Sequence, residues 1–197
     1  MIQRVQSILP REGDVQFFPE FFSQNESDRY FEELQHSIDW QQRPIKIYGK
    51  ELMQPRLTAW YGDEGKLYSY SGITLTPLLW NDTLRQIKQR IETIVPVVFN
   101  SALLNLYRDQ HDSMGWHRDN EKELGIDPVI ASVSFGAART FQFRHYYDKK
   151  EKLSLELTHG SLLLMQGKTQ HAWEHGLPKR TNATGMRINI TFRVIKD

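Results

Sequence analysis

The chain has 197 residues, with 25 lysines and arginines against 24 aspartates and glutamates, a formal net charge of +1, and no cysteine. The length suits one domain with a sizeable core, and the absence of cysteine excludes disulfide scaffolds, thiolate zinc sites and cysteine nucleophiles. The near-neutral charge gives no overall basic surface for nucleic acid, and no apolar stretch approaches the roughly 18–20 residues of a membrane span. We expect an intracellular monomer without membrane contact, cytoplasmic in a bacterium or nuclear in a eukaryote.

The first half of the chain mixes helices with loops. Asn25 and Ser27 are both suitable N-caps for a helix from about Asp28 to Ile38. A second helix is predicted from Asp82 to about Ile94, before Pro96. Between the helices two aromatic stretches have extended patterns, Arg56–Tyr61 and Lys66–Tyr70.

The second half consists of short β-like runs separated by turn residues. The predicted strands are Ala102–Arg108, Val129–Phe135, Thr140–His145, Leu153–Leu157, Ser161–Met165 and Met186–Ile195. Closely spaced strands without intervening helices predict an antiparallel sandwich or barrel. We therefore expect an α+β chain, a double-stranded β-helix (jelly roll) with N-terminal helices packed on one side. Residues 1–100 are expected to form the cover and residues 101–197 the core of one integrated domain.

The last predicted strand has one polar and one apolar face. Alternation places Arg187, Asn189, Thr191 and Arg193 on the same side. A half-buried strand whose polar side meets water is one interpretation. The other is an anion site, because arginines beside amide and hydroxyl groups can bind carboxylates bidentately. The pattern alone leaves both open.

A second pattern points to a metal. His117 and Asp119 project from the same side of an extended segment, so both can reach one ion. A further imidazole would complete the two-histidine, one-carboxylate set of non-haem Fe(II) oxygenases. His171 and His175 both compete for that place. In a strand they would lie about 13 Å apart, from the rise of about 3.3 Å per residue, so they are unsuited to sharing one ion.

These motifs resemble the AlkB family of Fe(II)- and 2-oxoglutarate-dependent nucleic-acid dealkylases, and above all its branch that repairs double-stranded DNA. The likeness covers roughly residues 45–195, and the final Arg-x-Asn-x-Thr-x-Arg strand is its most specific part. Further matching stretches are Pro55-Arg56, Tyr61-Gly-Asp63, Tyr68-Ser-Tyr-Ser-Gly72, His117-Arg-Asp-Asn-Glu121, Ile130-Ala-Ser-Val-Ser-Phe-Gly136, Phe143-Arg-His145, His159-Gly-Ser161 and His175-Gly-Leu-Pro178.

The resemblance implies that His117, Asp119 and His175 are the iron ligands. In the family the third ligand opens a His-x-x-Pro stretch twelve residues before the first arginine of the terminal motif, and His175 stands twelve residues before Arg187. His171 is then expected to be a neighbour of the site.

The resemblance also implies that 2-oxoglutarate is the co-substrate, with O2 as the oxidant. Arg193 would pair with the carboxylate next to the metal and Arg187 with the far carboxylate. The other family contacts to the co-substrate fall on Asn105, Tyr107 and Asn189. The expected reaction converts 2-oxoglutarate to succinate and hydroxylates the N-alkyl carbon of a base. That carbon is then released as an aldehyde, and the unmodified base is restored.

The implied substrates are 1-methyladenine and 3-methylcytosine in DNA, with RNA as a second polymer. A base in a duplex must be flipped out to reach an enclosed metal. By the resemblance, Tyr70 stacks on the flipped base, Tyr68 and Glu121 line its pocket, Tyr48 wedges into the duplex, and Arg56 follows at the matching distance.

The chain departs from the duplex-acting branch after Pro178, where a basic run is reduced to Lys179-Arg180. The preference for double over single strands therefore stays open. Two alternative functions also stay open. One is a 2-oxoglutarate oxygenase acting on RNA, protein or lipid, and the other is a non-catalytic jelly roll that binds nucleic acid.

Overall fold

The computed structural model describes residues 7–47, 50–65, 68–70 and 73–196, without the side chains of 46, 47, 50, 68–70 and 73–75. Its helices are α1 (Gln24–Ser37), α2 (Asp82–Glu92) and the single turn α3 (Thr169–Ala172). Its strands are β1 (Asp14–Phe18), β2 (Pro44–Ile47), β3 (Lys50–Met53), β4 (Leu57–Gly62), β5 (Tyr68–Tyr70), β6 (Ile73–Leu75), β7 (Leu78–Leu79), β8 (Ser101–Tyr107), β9 (Met114–His117), β10 (Ile130–Gly136), β11 (Arg139–His145), β12 (Lys152–Leu157), β13 (Ser161–Gln166), β14 (Trp173–Leu177) and β15 (Arg187–Arg193).

Helix α1 begins earlier than the sequence predicts because a capping box starts it. The Ser23 hydroxyl accepts the backbone N–H of Glu26, and the Glu26 carboxylate accepts the backbone N–H of Ser23. These two bonds satisfy donors that a helix N-terminus otherwise leaves unpaired. The prediction of Asn25 or Ser27 as the cap is wrong, since both lie inside the helix.

Helix α2 begins where the sequence predicts. The side-chain oxygen of Asn81 accepts the backbone N–H of Leu84 at 2.8 Å and caps the helix. The helix ends at Glu92, two residues before the predicted end, and Thr93 is its C-cap.

Two sheets form the body of the fold. The large sheet has seven strands in the order β1-β13-β10-β15-β8-β4-β7, and the small sheet has four in the order β12-β11-β14-β9. All neighbours are antiparallel except β4 and β7, which are parallel. The pairs β2–β3 and β5–β6 form separate hairpins. The predicted jelly roll is confirmed, and the segment 1–100 adds β1, β4 and β7 to the large sheet as well as its helices.

Helices α1 and α2 cover the outer face of the large sheet. Their buried apolar residues pack against alternate residues of β8, β10 and β15 in one cluster, which includes Tyr30, Leu34, Leu84, Ile87, Ile91, Leu104, Val133 and Ile190. Burial of each large side chain contributes about 1.5–3 kcal/mol. Among the described residues, none of the helices has the length and apolar character of a membrane span.

A second apolar cluster joins the inner faces of the two sheets. The large sheet contributes Ile130, Leu163 and Met165 to it, and the small sheet contributes Phe143 and Trp173. The polar groups of the candidate site lie between the sheets, beside this cluster.

Candidate active site

The polar face of β15 is buried. Arg187, Asn189, Thr191 and Arg193 are only 1%, 7%, 7% and 3% exposed. The strand lies between β10 and β8 in the large sheet, and its apolar side faces the helices. The polar row therefore faces the protein interior, and the solvated face that the sequence left open is excluded for this strand.

Strand β8 adds polar groups to the same wall. Asn105 lies opposite Asn189, and Tyr107 lies opposite Arg187, in the antiparallel ladder. Residues directly opposite on neighbouring strands point to the same side of the sheet. The guanidinium carbon of Arg187 is 5.2 Å from the centre of the Tyr107 ring. An amide, a phenol and a guanidinium thus stand side by side.

His117, Asp119 and His175 converge on one point from the other side. One ligand atom from each lies within 4.8 Å of the other two. The Nε2 atoms of His117 and His175 are each 3.9 Å from an oxygen of Asp119. The two histidines are opposite each other on the paired strands β9 and β14. This is the two-imidazole, one-carboxylate donor set of a facial metal site.

A glycine lets the two ligand strands approach closely. Gly176 follows His175 in β14, and a Cβ added there would lie 3.2 Å from the carbonyl oxygen of Met114 in β9. The ladder register also shifts between His175 and Leu177. The local irregularity lies beside His175, a position where strand bulges often re-aim a functional side chain.

Asp119 is held in its ionised form. It is 2% exposed, its backbone N–H donates to Gln170 Oε1 at 3.0 Å, and its Oδ1 accepts from Arg193 Nη2 at 2.9 Å. Burial alone would raise the pKa of this carboxyl. The positive charge of Arg193 and its hydrogen bond to the carboxylate oppose burial, and the pKa of Asp119 lies below its ordinary value.

The two imidazoles are held by different contacts. His117 Nδ1 lies 2.9 Å from the Gly115 carbonyl oxygen, and a carbonyl only accepts, so Nδ1 donates there and Nε2 is the nitrogen nearer Asp119. Burial, reinforced by repulsion from His117, lowers the pKa of His175 to about 3 against the attraction of Asp119. His175 is therefore uncharged at neutral pH, as a metal ligand must be.

Arg187 is a buried cation with open donors. Its Nη2 donates to the Ser134 hydroxyl at 2.8 Å, but its Nε and Nη1 have no hydrogen-bond partner among the described residues. Burial lowers the pKa of Arg187 to about 10 despite the neighbouring Tyr107 phenol, so the group stays charged at neutral pH. Buried guanidinium donors without partners fit a carboxylate ligand.

The two facing asparagines are held differently. Asn189 Nδ2 donates to the Ser132 hydroxyl at 2.8 Å and to the Val133 carbonyl at 2.9 Å, so its amide ties β15 to β10. Asn105 instead accepts through Oδ1 from Arg56 Nε at 2.8 Å. A contact between Asn189 and a co-substrate stays a prediction.

All eight residues that the sequence predicts for metal and co-substrate line a single cavity between the sheets. They are Asn105, Tyr107, His117, Asp119, His175, Arg187, Asn189 and Arg193. Apolar side chains complete the lining, Met114, Phe141, Met165 and Leu177 among them. The cavity thus has a metal-binding side, an anion-binding side and an apolar remainder.

Comparison with known proteins agrees with this arrangement. The family model of the 2OG-Fe(II) oxygenase superfamily matches residues 14–193. Human alkB homolog 3, an alpha-ketoglutarate-dependent dioxygenase, is 42% identical over 190 residues, 92% of this chain and 66% of its own length. The mouse DNA oxidative demethylase ALKBH2 is 39% identical over 184 residues, 88% of this chain and 77% of its own length.

The chain belongs to the AlkB family of 2OG-Fe(II) oxygenases. A solved structure of OsALKBH1 has the same fold, with a TM-score of 0.63 at 17% identity, covering 91% of this chain and 97% of that one. The chain spans 66% of the length of the human and mouse alkB homolog 3 proteins, slightly less than two thirds.

The cofactors of the superfamily, Fe(II) and 2-oxoglutarate, fit the residues present. Two imidazoles and an ionised carboxylate, close enough to share an ion, suit Fe(II). On the opposite side, the open donors of Arg187 suit a carboxylate of 2-oxoglutarate.

The residues predicted to meet the base are less completely described. Tyr48 lies outside the described residues, and Tyr68 and Tyr70 lie on β5 with side chains outside them. Glu121 precedes a 3-10 turn, and its Oε2 is buried without a hydrogen-bond partner among the described residues. Arg56 is 3% exposed, and its guanidinium donates to Asn105, one of the polar residues that line the cavity.

His171 lies at the edge of the site. It belongs to α3, its side chain is half exposed, and its Nε2 is 2.9 Å from an oxygen of Asp127. It does not line the cavity, whereas His175 does. Residue spacing alone left the two histidines open, and the resemblance selected His175. The assumption that both lie in one strand is wrong, since α3 ends at Ala172 and β14 begins at Trp173.

Three supporting residues were missed by the sequence analysis. Gln170 is fully buried and accepts the Asp119 N–H. Arg139 is fully buried and donates to three backbone carbonyls, those of Asp109, Asp112 and Pro178. His145 is 2% exposed and packs beside Trp173. Their partners are distant in sequence, so no local motif announces them.

Proposed function

We propose that the protein is an Fe(II)- and 2-oxoglutarate-dependent dioxygenase that oxidatively demethylates 1-methyladenine and 3-methylcytosine in DNA. The observation that carries the proposal is the convergence of a His-Asp-His set and two buried arginines on one cavity. Membership of the AlkB family supports the choice of substrate, because a relative at 39% identity is named a DNA oxidative demethylase. The monomeric state and the intracellular location stay predictions.

His117, Asp119 and His175 would hold the iron. When bound, Fe(II) supplies the activation of O2, with 2-oxoglutarate as the source of electrons. The protein keeps His175 neutral and the Asp119 carboxylate ionised, so both of these donors have free lone pairs at neutral pH. The burial of Asp119 and His175 also limits the access of bulk water to this side of the cavity.

Arg187 would bind the far carboxylate of 2-oxoglutarate and Arg193 the carboxylate nearer the metal. The free donors of Arg187 and the adjacent Tyr107 phenol support the first contact. The bond from Arg193 to Asp119 supports the second, because it places this guanidinium beside a metal ligand. A dicarboxylate bridging both cations would be fixed in orientation as well as bound.

The methylated base would enter beside His117, the more exposed of the two ligand imidazoles. Its side chain is 23% exposed, against 3% for His175. Glu121, two residues beyond Asp119, has a buried oxygen that can accept a hydrogen bond from an exocyclic amine. We assign Tyr68 and Tyr70 to the base pocket and Tyr48 to the wedge in a duplex.

Succinate formation tests the function. Purified protein with Fe(II), 2-oxoglutarate and air is given oligonucleotides bearing 1-methyladenine or 3-methylcytosine, in single and double strands of DNA and RNA. We expect methylated DNA to stimulate succinate release and to yield the restored base and formaldehyde in equal amounts. The unmethylated oligonucleotides and the Asp119→Ala variant are the controls.

Succinate release that is indifferent to methylated DNA would contradict the proposal. A response to methylated RNA alone would move the substrate to RNA. A response to neither polymer would favour an oxygenase of protein or lipid. Protein that binds the oligonucleotides without releasing succinate would favour a non-catalytic binding role.

A further inference from the structure

Arg56 is a buried cation that contacts the candidate co-substrate wall. It precedes β4 and is 3% exposed. Its Nε donates to Asn105 Oδ1 at 2.8 Å, and its Nη1 lies 3.4 Å from the Ser113 carbonyl oxygen. Strand β4 pairs with β8 so that Thr58 lies opposite Asn105, which brings Arg56 alongside the same strand.

The chemistry of this contact fixes which way the Asn105 amide points. A guanidinium has five N–H donors and no acceptor, whereas a carboxamide has an acceptor oxygen at one end and an NH2 donor at the other. Only the oxygen of Asn105 can therefore face Arg56. The NH2 group is left as the end available to the cavity that Asn105 lines.

The orientation of the Asn105 amide determines whether it attracts or repels the carboxylates of 2-oxoglutarate. Both carboxylates of 2-oxoglutarate are pure acceptors when ionised, so a wall of N–H donors attracts them and an exposed amide oxygen repels them. Asn189, opposite Asn105, has its orientation fixed independently by Ser132 and Val133. Arg56 thus determines whether position 105 offers a donor or an acceptor to the cavity.

We propose that Arg56 is a positioning residue that acts through Asn105 and orients its amide as a donor to 2-oxoglutarate. This inference rests on the proposed function, because it requires 2-oxoglutarate in the cavity. The contact of Arg56 with nucleic acid stays a separate prediction.

A double-mutant cycle measures the coupling. The dissociation constant of 2-oxoglutarate is determined by titration calorimetry on Mn(II)-loaded protein for the wild type, Arg56→Met, Asn105→Ala and the double variant. We expect each single variant to raise the dissociation constant by about tenfold, a typical effect of losing one hydrogen bond to a charged group. The double variant is expected to stay within about twofold of Asn105→Ala, because Arg56 then has no amide to orient.

Controls separate this role from general damage and from bulk charge. Arg85→Met removes an exposed cation of α2 and is expected to leave the dissociation constant unchanged. Thermal unfolding without ligand reports whether Arg56→Met is folded. Should that variant unfold, the cycle is run with Arg56→Lys, which keeps the charge and is expected to show a smaller loss with the same non-additivity.

A 2-oxoglutarate dissociation constant that is about a hundredfold higher in the double variant than in the wild type would overturn the inference. The two tenfold effects would then multiply, which means that Arg56 acts independently of Asn105. An unchanged 2-oxoglutarate constant in Arg56→Met, with weakened binding of a methylated oligonucleotide, would return Arg56 to the nucleic-acid contact. The calorimetric cycle needs no nucleic acid, so it decides the role of Arg56 independently of the demethylation assay. A failure of demethylation by the wild type would refute the proposed function only.

Discussion

The two sheets that enclose the cavity carry different chemistry. The small sheet provides two imidazoles, His117 and His175, on strands that pair with a shifted register. The large sheet provides cations and amides in regular registers on β8 and β15. The proposed metal site and the proposed anion site thus draw on separate sheets, and the bond between Asp119 and Arg193 joins them.

The supports of the two sides differ as well. The large sheet is backed by α1 and α2, whose apolar residues fill the cluster behind β8 and β15. On the small sheet, His175 packs between Phe141 and Phe143, at ring distances of 5.3 and 6.2 Å. We therefore expect substitutions on one side to leave the binding property of the other intact.

The largest expected effect is on the metal side. His175→Ala should lower Mn(II) affinity by at least about 100-fold and abolish turnover, because it removes a donor that the protein keeps neutral by burial. Mn(II) binding followed by electron paramagnetic resonance measures the loss.

His171→Ala is the matched control, since this histidine is four residues away and paired with Asp127 at the surface. It should change Mn(II) affinity by less than about twofold. Equal losses in both variants would contradict the assignment of His175 over His171.

A smaller effect is expected on the anion side. Arg187→Met should raise the 2-oxoglutarate dissociation constant by at least about tenfold, through loss of charge-assisted bonds, and leave Mn(II) affinity unchanged. The ligand-free variant should unfold at the same temperature as the wild type or higher, because the buried charge is uncompensated until a carboxylate binds. Calorimetry and thermal unfolding test both parts.

Arg187→Lys keeps a positive charge without the planar fork and should lose less affinity than Arg187→Met. A parallel loss of Mn(II) binding in either variant would show that the two sides are not separable.

The smallest expected effect is on the free energy of unfolding, and it concerns the loop between β8 and β9. Asp112, between β8 and β9, accepts hydrogen bonds from the backbone and the guanidinium of Arg108. Burial opposes ionisation, but the bonds from Arg108 outweigh it and hold the pKa of Asp112 below its ordinary value of 3.8. A carboxyl whose pKa is lower in the folded state stabilises that state at pH values above its pKa in the unfolded chain. This stabilisation is lost as the pH falls below the unfolded-chain pKa.

Asp112→Asn should therefore lower the free energy of unfolding at pH 7 by about 1–2 kcal/mol. The difference from the wild type should shrink below about pH 3.8, where Asp112 of the unfolded chain is protonated. Urea unfolding at several pH values measures it. A difference that does not vary with pH would mean that the carboxylate charge is not involved.

Strong local patterns made much of the fold predictable. The last strand could be found because Arg187, Asn189, Thr191 and Arg193 alternate with apolar residues over seven positions. Helix α2 was predicted from Asp82 and ends, as predicted, before Pro96. Strands β9 and β14 were missed, since they have four and five residues and include Gly115 and Gly176. Their pairing comes from contacts between distant segments, which no short pattern encodes.

The candidate site, like the fold, was predictable only where its residues form local motifs. The candidate ligands His117, Asp119 and His175 come from the motifs, and the structure brings them together. The bond between Arg56 and Asn105 spans 49 positions, so it could not be read from spacing. Gln170 likewise reaches Asp119 across 51 positions.

Arg139 has a consequence for how the surface of this protein can vary. Its guanidinium donates to the main-chain carbonyls of Asp109, Asp112 and Pro178. Every residue carries such a carbonyl, so these three bonds do not depend on which amino acid stands at each of the three positions. Substitutions there consequently leave the attachment of both loops to Arg139 in place.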